Sequence, residues 1–275
     1  MRNRRNNGLG SVKQIIDHFQ GLKKLKASKV TLETVRKSYK HSVMRTFPIT
    51  SRWIGRPLAD LLAVPLHNVG LTANSITGFR ILLYFVSILI LFVPNYTFTV
   101  CGALGLLTAF VLDFVDGHLA RLRNEASFFG KFVDGIGDYL FPVFLTLPIA
   151  IRVDLETGHI FYSSLSFLSA AIILTNRMVR ERCRYFIAVL PKKFVDINIE
   201  NSTLKRVQRF ENFFASHAAN TRILLIFILF MPGAELLYLI AMLVCQLLLE
   251  SIWLCLILYS SYLALNHWRK SASAT

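Results

Sequence analysis

Long apolar runs fill the chain from about residue 75 onward, and they constrain its architecture more than any other feature. A hydrocarbon core about 30 Å thick requires roughly 20 predominantly apolar residues of helix. Four such runs lie near 75–94, 98–121, 130–151 and 159–179. They are separated by Pro94-Asn95, by Arg121-Leu122-Arg123-Asn124-Glu125, and by Arg152-Val153-Asp154-Leu155-Glu156 with Gly158. A polar, basic loop follows from Pro191 to Arg209, and apolar character then returns from Phe213 to His267 with a break at Pro232-Gly233. Two more helices fit there, near 211–231 and 235–267. Dividing the last one at Glu250-Ser251 would leave pieces of about 15 residues, too short to cross a bilayer comfortably. The expectation is an all-α integral membrane protein with six transmembrane helices.

Composition agrees with this reading: 54% of the 275 residues are hydrophobic and the mean hydropathy is +0.49. The formal net charge of +15 would suit nucleic acid, but the basic residues flank the apolar runs, as cytoplasmic loops do under the positive-inside rule. Membrane orientation explains the charge, and no nucleic-acid partner is expected. With six helices, both termini and the strongly basic loops fall on one side, which the rule makes cytoplasmic. Cys101, Cys183, Cys245 and Cys255 lack CxxC spacing and His partners, so a zinc site has no support. No cleaved signal peptide is expected, because a long basic segment precedes the first apolar run near Ile76.

Two regions follow. Residues 1–70 form a basic N-terminal segment, in which the part from about Val43 to Val69 mixes Phe47, Trp53, Ile54, Leu58, Leu61, Leu62 and Leu66 with Arg45, Arg52 and Arg56. That mixture predicts an interfacial helix on the cytoplasmic membrane surface. Residues 71–275 form the six-helix transmembrane domain.

Within that domain, Asp113, Asp116, Asp134 and Asp138 lie inside apolar runs. An ionisable residue at the centre of a membrane helix costs about 2.5–3.5 kcal/mol on insertion scales. Residues three or four apart share a helical face, so Asp113 pairs with Asp116 and Asp134 with Asp138. The short connection between the two helices makes them antiparallel neighbours, and the four carboxylates converge on one cavity. Such a cluster requires either protonation or divalent cations between the acids. Oxygen-only ligands favour Mg²⁺ or Mn²⁺. Gly117, Ala120 and Gly130 remove bulk nearby, either for close helix approach or to admit a ligand, and Arg121 stands where it can meet a phosphate.

Asp113-xx-Asp116-Gly117-xx-Ala120-Arg121, followed by Gly130-xxx-Asp134-xxx-Asp138, resembles the complete signature of the CDP-alcohol phosphotransferases. Asn74-Ser75-Ile76-Thr77-Gly78-Phe79-Arg80 is similar to that family's entry to its first helix, with Ala73 in place of a proline. The resemblance implies attack by an acceptor hydroxyl on the phosphorus that bears the alcohol, with CMP as leaving group. It implies two Mg²⁺ or Mn²⁺ ions held by Asp113, Asp116, Asp134 and Asp138, with Asp138 also the general base. Gly117, Ala120, Arg121, Gly130, Asn74, Thr77 and Arg80 would bind the CDP moiety.

The partners implied are a CDP-alcohol donor, a hydroxyl acceptor, membrane lipid and a second copy of the chain in a homodimer. The donor is left open between CDP-diacylglycerol and a CDP-linked head group. Tyr139 follows Asp138, unlike the Asp-Pro-x-x-Asp-Lys run of phosphatidylglycerol-phosphate synthases. Arg177, Arg180 and Arg184 can be read as a positive-inside flank or as a site for a phosphorylated acceptor. The competing function is a cation or proton transporter lined by the buried acids, which leaves the Gly, Ala and Arg positions without a purpose.

Overall fold

The computed structural model describes residues 31–37, 50–123, 128–189, 206, 209–210, 213–214 and 220–272, and all regular elements among them are helical. Helix α1 spans Leu32–Lys37. A π-helical turn, Ser51–Gly55, runs into α2, Arg56–Val69. Then come α3, Ala73–Leu91, α4, Tyr96–Arg123, and α5, Phe128–Val143. Helix α6 spans Leu147–Thr157, and α7 spans Phe161–Val189. Helix α8, Asn220–Phe230, tightens to a 3₁₀ turn at its end, and α9 spans Glu235–Ala272.

Four segments are long and apolar enough to cross a membrane: Ala73–Leu91, Tyr96–Arg123, Gly135–Thr157 and Glu235–Leu263. They coincide with four of the six expected spans. Helix α7 forms where the fourth expected span lies, but its serines, Asn176 and Arg177 leave it less apolar than those four. Of the fifth expected span, near 211–231, a continuous helix is described only as the short apolar α8. The last helix runs unbroken through Glu250-Ser251, as expected, and its 38 residues reach about 57 Å at the usual rise.

The third expected span, 130–151, is not one straight helix. Pro142 has no N–H to give and its ring crowds the preceding turn, so α5 ends at Val143. Helix α6 restarts at Leu147 with Pro148 in its first turn, where the missing N–H costs nothing. Within a bilayer the carbonyls released by such a break need donors from the protein. Tyr84 donates to the Phe141 carbonyl and, at 3.3 Å, to that of Leu140. Gln246 Nε2 reaches Pro142 O at 3.2 Å, and Tyr238 donates to Leu145 O at 2.8 Å.

Helices α3 and α4 form the most extensive pairing, and two glycines permit it. A Cβ on Gly102 would meet the Leu91 side chain at 2.7 Å and Ser87 O at 3.1 Å, and one on Gly105 would overlap Ser87 Oγ. The main apolar core lies around this pair, where Tyr84, Ile88, Leu91, Leu106 and Ala109 pack with Leu145, Ile149, Ile226, Leu239 and Met242.

Helix α2 packs on α4 with Arg56, Asp60 and His67 buried, whereas its Leu58, Leu61 and Leu62, and Trp53 of the preceding π-helical turn, are exposed. His118 Nδ1 on α4 lies 3.2 Å from Asp60 Oδ1. Arg123, at the end of α4, donates to the carbonyls of His67 and Gly70 at 2.9 and 3.2 Å. These contacts close the C-terminus of α2, where Gly70 takes a φ of 94° that favours glycine.

Candidate active site

Helix α3 supplies the residues that meet the first aspartate pair. Thr72 caps it, its Oγ1 accepting from Ser75 N at 3.2 Å, and Ala73 occupies the first helical position. That position tolerates proline but does not need it, so the departure at Ala73 leaves the helix start intact. One turn on, Thr77 Oγ1 donates to Asp116 Oδ2 at 2.7 Å and also lies 3.1 Å from Ala73 O. The Arg80 guanidinium forms an ion pair with Asp113. Asp113 and Asp116 therefore share the face of α4 that meets α3, as their spacing requires.

Arg80 also touches α5. A Cβ on Gly137 would lie 2.8 Å from Arg80 Nη2, so the backbone between Asp134 and Asp138 borders the guanidinium that pairs with Asp113. Asp113 stands near the end of α4 and Gly137 at a similar distance past the start of α5, so the two helices run antiparallel past one arginine. Among the described residues α5 packs mainly on α3 and α7, so the two aspartate-bearing helices are linked here through α3. The side chains of Asp134 and Asp138 lie outside the described residues, as does that of Arg184.

Arg80 and Asp113 form part of the wall of a cavity of about 420 Å³. Ile81, Tyr84, Phe110, Phe114, Leu140 and Phe141 make much of the remainder apolar, and Arg177 and Arg222 bring two further guanidinium groups. Arg177 lies 5.3 Å and Arg180 5.5 Å from the Trp253 ring centroid, both at cation–π distance. Thr50 and Ser51 also line the cavity. Thr50 is fastened by its N–H and hydroxyl, which both donate to Asn220 Oδ1 at 2.8 and 2.7 Å. Gly55 brings the π-helical turn so near Phe114 that a Cβ there would meet the ring at 2.5 Å.

A family model described as CDP-alcohol phosphatidyltransferase matches residues 70–252, from the end of α2 into α9. The chain belongs to that family. It is 27% identical over 142 residues to the CDP-diacylglycerol–glycerol-3-phosphate 3-phosphatidyltransferase of Rickettsia typhi, covering 52% of this chain and 71% of the relative. The match to the Rickettsia prowazekii protein of the same name is also 27% identical, over 142 residues, 52% of this chain and 70% of the relative. With the Escherichia coli (strain K12) protein of that name it is 30% identical over 118 residues, 43% of this chain and 60% of the relative. Family and apolar helices together describe a multi-pass membrane transferase of phospholipid biosynthesis.

The other residues picked out by the sequence are less concentrated in the cavity. Asn74 is exposed at the first turn of α3. The Arg121 guanidinium lies over Gly117, where a Cβ would make only ordinary contact at 3.6 Å, so Gly117 is not a helix-packing position. Ala120 packs against the smaller apolar cluster of α1, α2, α3 and α4, and Gly130 is half-buried near the start of α5. Arg222 went unremarked in the sequence, yet it was legible as a charge in the middle of the expected fifth span, and such residues mark functional interiors by default.

Among the described residues no three Asp, Glu, His or Cys side chains group as metal ligands would, and the acids seen in the site are two. Asp116 is buried and Asp113 lines the cavity, both offering hard carboxylate oxygens, and Arg80 already contributes a positive charge between them and the α5 backbone.

Proposed function

We propose that this chain transfers a substituted phosphate group from CDP-diacylglycerol to the hydroxyl of a phosphorylated alcohol, releasing CMP. Asp113, Asp116, Asp134 and Asp138 would hold two Mg²⁺ or Mn²⁺ ions, which when bound neutralise the pyrophosphate and the charge on the departing oxygen. The observation that carries the reading is the Arg80–Asp113 pair on the wall of a largely apolar cavity, one helical turn from the Thr77–Asp116 pair.

The chain's own groups have separate tasks in this scheme. Thr77 fixes the rotamer of Asp116, and Arg80 sets Asp113 while offering a cation to the CDP phosphates. Asp138 accepts the proton of the acceptor hydroxyl as the new O–P bond forms and the bond to CMP breaks. The aromatic and aliphatic lining suits a lipid donor whose chains stay in the bilayer, and Arg177 and Arg222 on the same wall suit an anionic acceptor. Glycerol 3-phosphate, named in the relatives, is the first acceptor to try. Tyr139 and Gly135, where phosphatidylglycerol-phosphate synthases carry Lys and Pro, place other phosphorylated alcohols beside it.

The same reading puts the catalytic end at the cytoplasmic face, with both termini, because the positive-inside rule assigns basic flanks such as Arg121 and Arg123 at the end of α4 to that side. The exposed Trp53, Leu58, Leu61 and Leu62 would rest α2 against the membrane interface.

Purified protein in lipid nanodiscs should release CMP from CDP-diacylglycerol only when Mg²⁺ or Mn²⁺ and an acceptor are present. A panel of glycerol 3-phosphate, inositol phosphate and unphosphorylated alcohols identifies the acceptor. Absence of CMP release across the panel, with CDP-linked head groups also tried as donors, would refute the transferase reading.

A further inference from the structure

Glu250 is 1% exposed in the middle of α9, with Leu247, Leu248, Leu249, Ile252 and Trp253 around it in sequence. An unpartnered carboxylate in such surroundings would be neutralised or expelled. Here Arg222 Nη1 on α8 stands 3.2 Å from its Oε1. Asn176 Nδ2 on α7 donates to Oε2 at 2.7 Å and to the Glu250 carbonyl at 2.9 Å. Three helices thus meet at one acid. Asn176 is fully buried, and Arg222 is nearly so.

Stability does not call for this arrangement, since a buried ion pair can often be replaced by apolar residues of similar volume without loss. Its geometry suggests a use. Arg222 lines the cavity, whereas Glu250 and Asn176 stand behind it. A guanidinium recognises phosphate through a planar fork of donors, and that fork is effective only if its plane is set in advance.

We propose that Glu250 is a positioning residue which, together with Asn176, holds the Arg222 guanidinium at the cavity wall so that it meets the phosphate of the acceptor. The inference rests on the reading that the acceptor is a phosphorylated alcohol. Glu250 acts only through Arg222 and touches no substrate. Trp253, one turn further along α9, holds Arg177 on the same side, so one face of α9 orients two cations of the site.

The test uses the full chain in nanodiscs, with CDP-diacylglycerol and glycerol 3-phosphate varied separately. For Glu250→Gln the acceptor KM should rise tenfold or more while the donor KM stays within about twofold, and Glu250→Asp should recover most of the loss. Asn176→Ala, which leaves the charges in place, should raise the acceptor KM about threefold and serves if Glu250→Gln fails to fold. Arg222→Ala should raise it as Glu250→Gln does, with little further effect when the two are combined. Equal effects on both KM values, a fall in kcat alone, or full additivity with Arg222→Ala would overturn the proposal. If the wild-type protein releases no CMP with glycerol 3-phosphate, thermal stabilisation by glycerol 3-phosphate and by inorganic phosphate replaces the KM. Stabilisation of the wild type but not of Glu250→Gln then supports the positioning role even though the acceptor assignment has failed. Equal stabilisation of both, or of neither, overturns it.

Discussion

Thr77 and Asp116 are joined at 2.7 Å across the α3–α4 pairing, with the hydroxyl donating to a buried carboxylate. Outer partners of a metal-binding carboxylate typically contribute 10–100-fold in affinity or activity. Thr77→Val preserves shape and removes the donor. It should lower CMP release by roughly 10-fold, part of which returns at high Mg²⁺. A titration of rate against Mg²⁺ concentration checks this, and an unchanged half-saturation point would mean that the hydroxyl serves α3 alone.

Asp116→Asn and Asp134→Asn should each abolish CMP release while the protein still inserts and folds. The exchange removes a charge with little change in volume, and relieving an acid cluster makes burial easier. Activity measured beside the elution profile in detergent decides between this and a structural role, which would show as poor expression with normal specific activity.

Asp138→Asn should slow the chemical step by about 10²–10⁴-fold, the usual contribution of a positioned base, with CDP-donor binding retained. Single-turnover CMP release at saturating Mg²⁺ is the measurement. A nearly normal rate there would reduce Asp138 to a metal ligand and pass the proton to another group or to water.

Two glycines should respond in opposite ways. Gly102→Val forces its side chain against Leu91 and the Ser87 carbonyl and should cost about 1–3 kcal/mol. Gly78→Ala places a methyl where nothing lies within 4 Å and should be neutral or stabilise α3 by up to about 1 kcal/mol. Thermal unfolding of both variants in one detergent provides the comparison, and a matching loss in both would show that α3 and α4 do not depend on close approach at Gly102.

The apolar runs determined where four of the six expected membrane helices form, because the thickness of the hydrocarbon core is imposed from outside and can be read as a length. The aspartate spacing determined that Asp113 and Asp116 share a face, because helical periodicity is local. Pro142 carried the signal for the break between α5 and α6, but an unbroken apolar run concealed it, since hydropathy does not register a missing N–H. Tertiary structure alone decided the partners. That Arg80 spans from Asp113 to the Gly137 backbone, that Arg222 reaches the cavity, and that Glu250 stands behind it all depend on residues far apart in sequence. A charge inside an apolar run announces that a partner must exist, because burial without one is too costly. Which residue fills that role is set only when helices pack, as α3 does against α4 through Gly102 and Gly105.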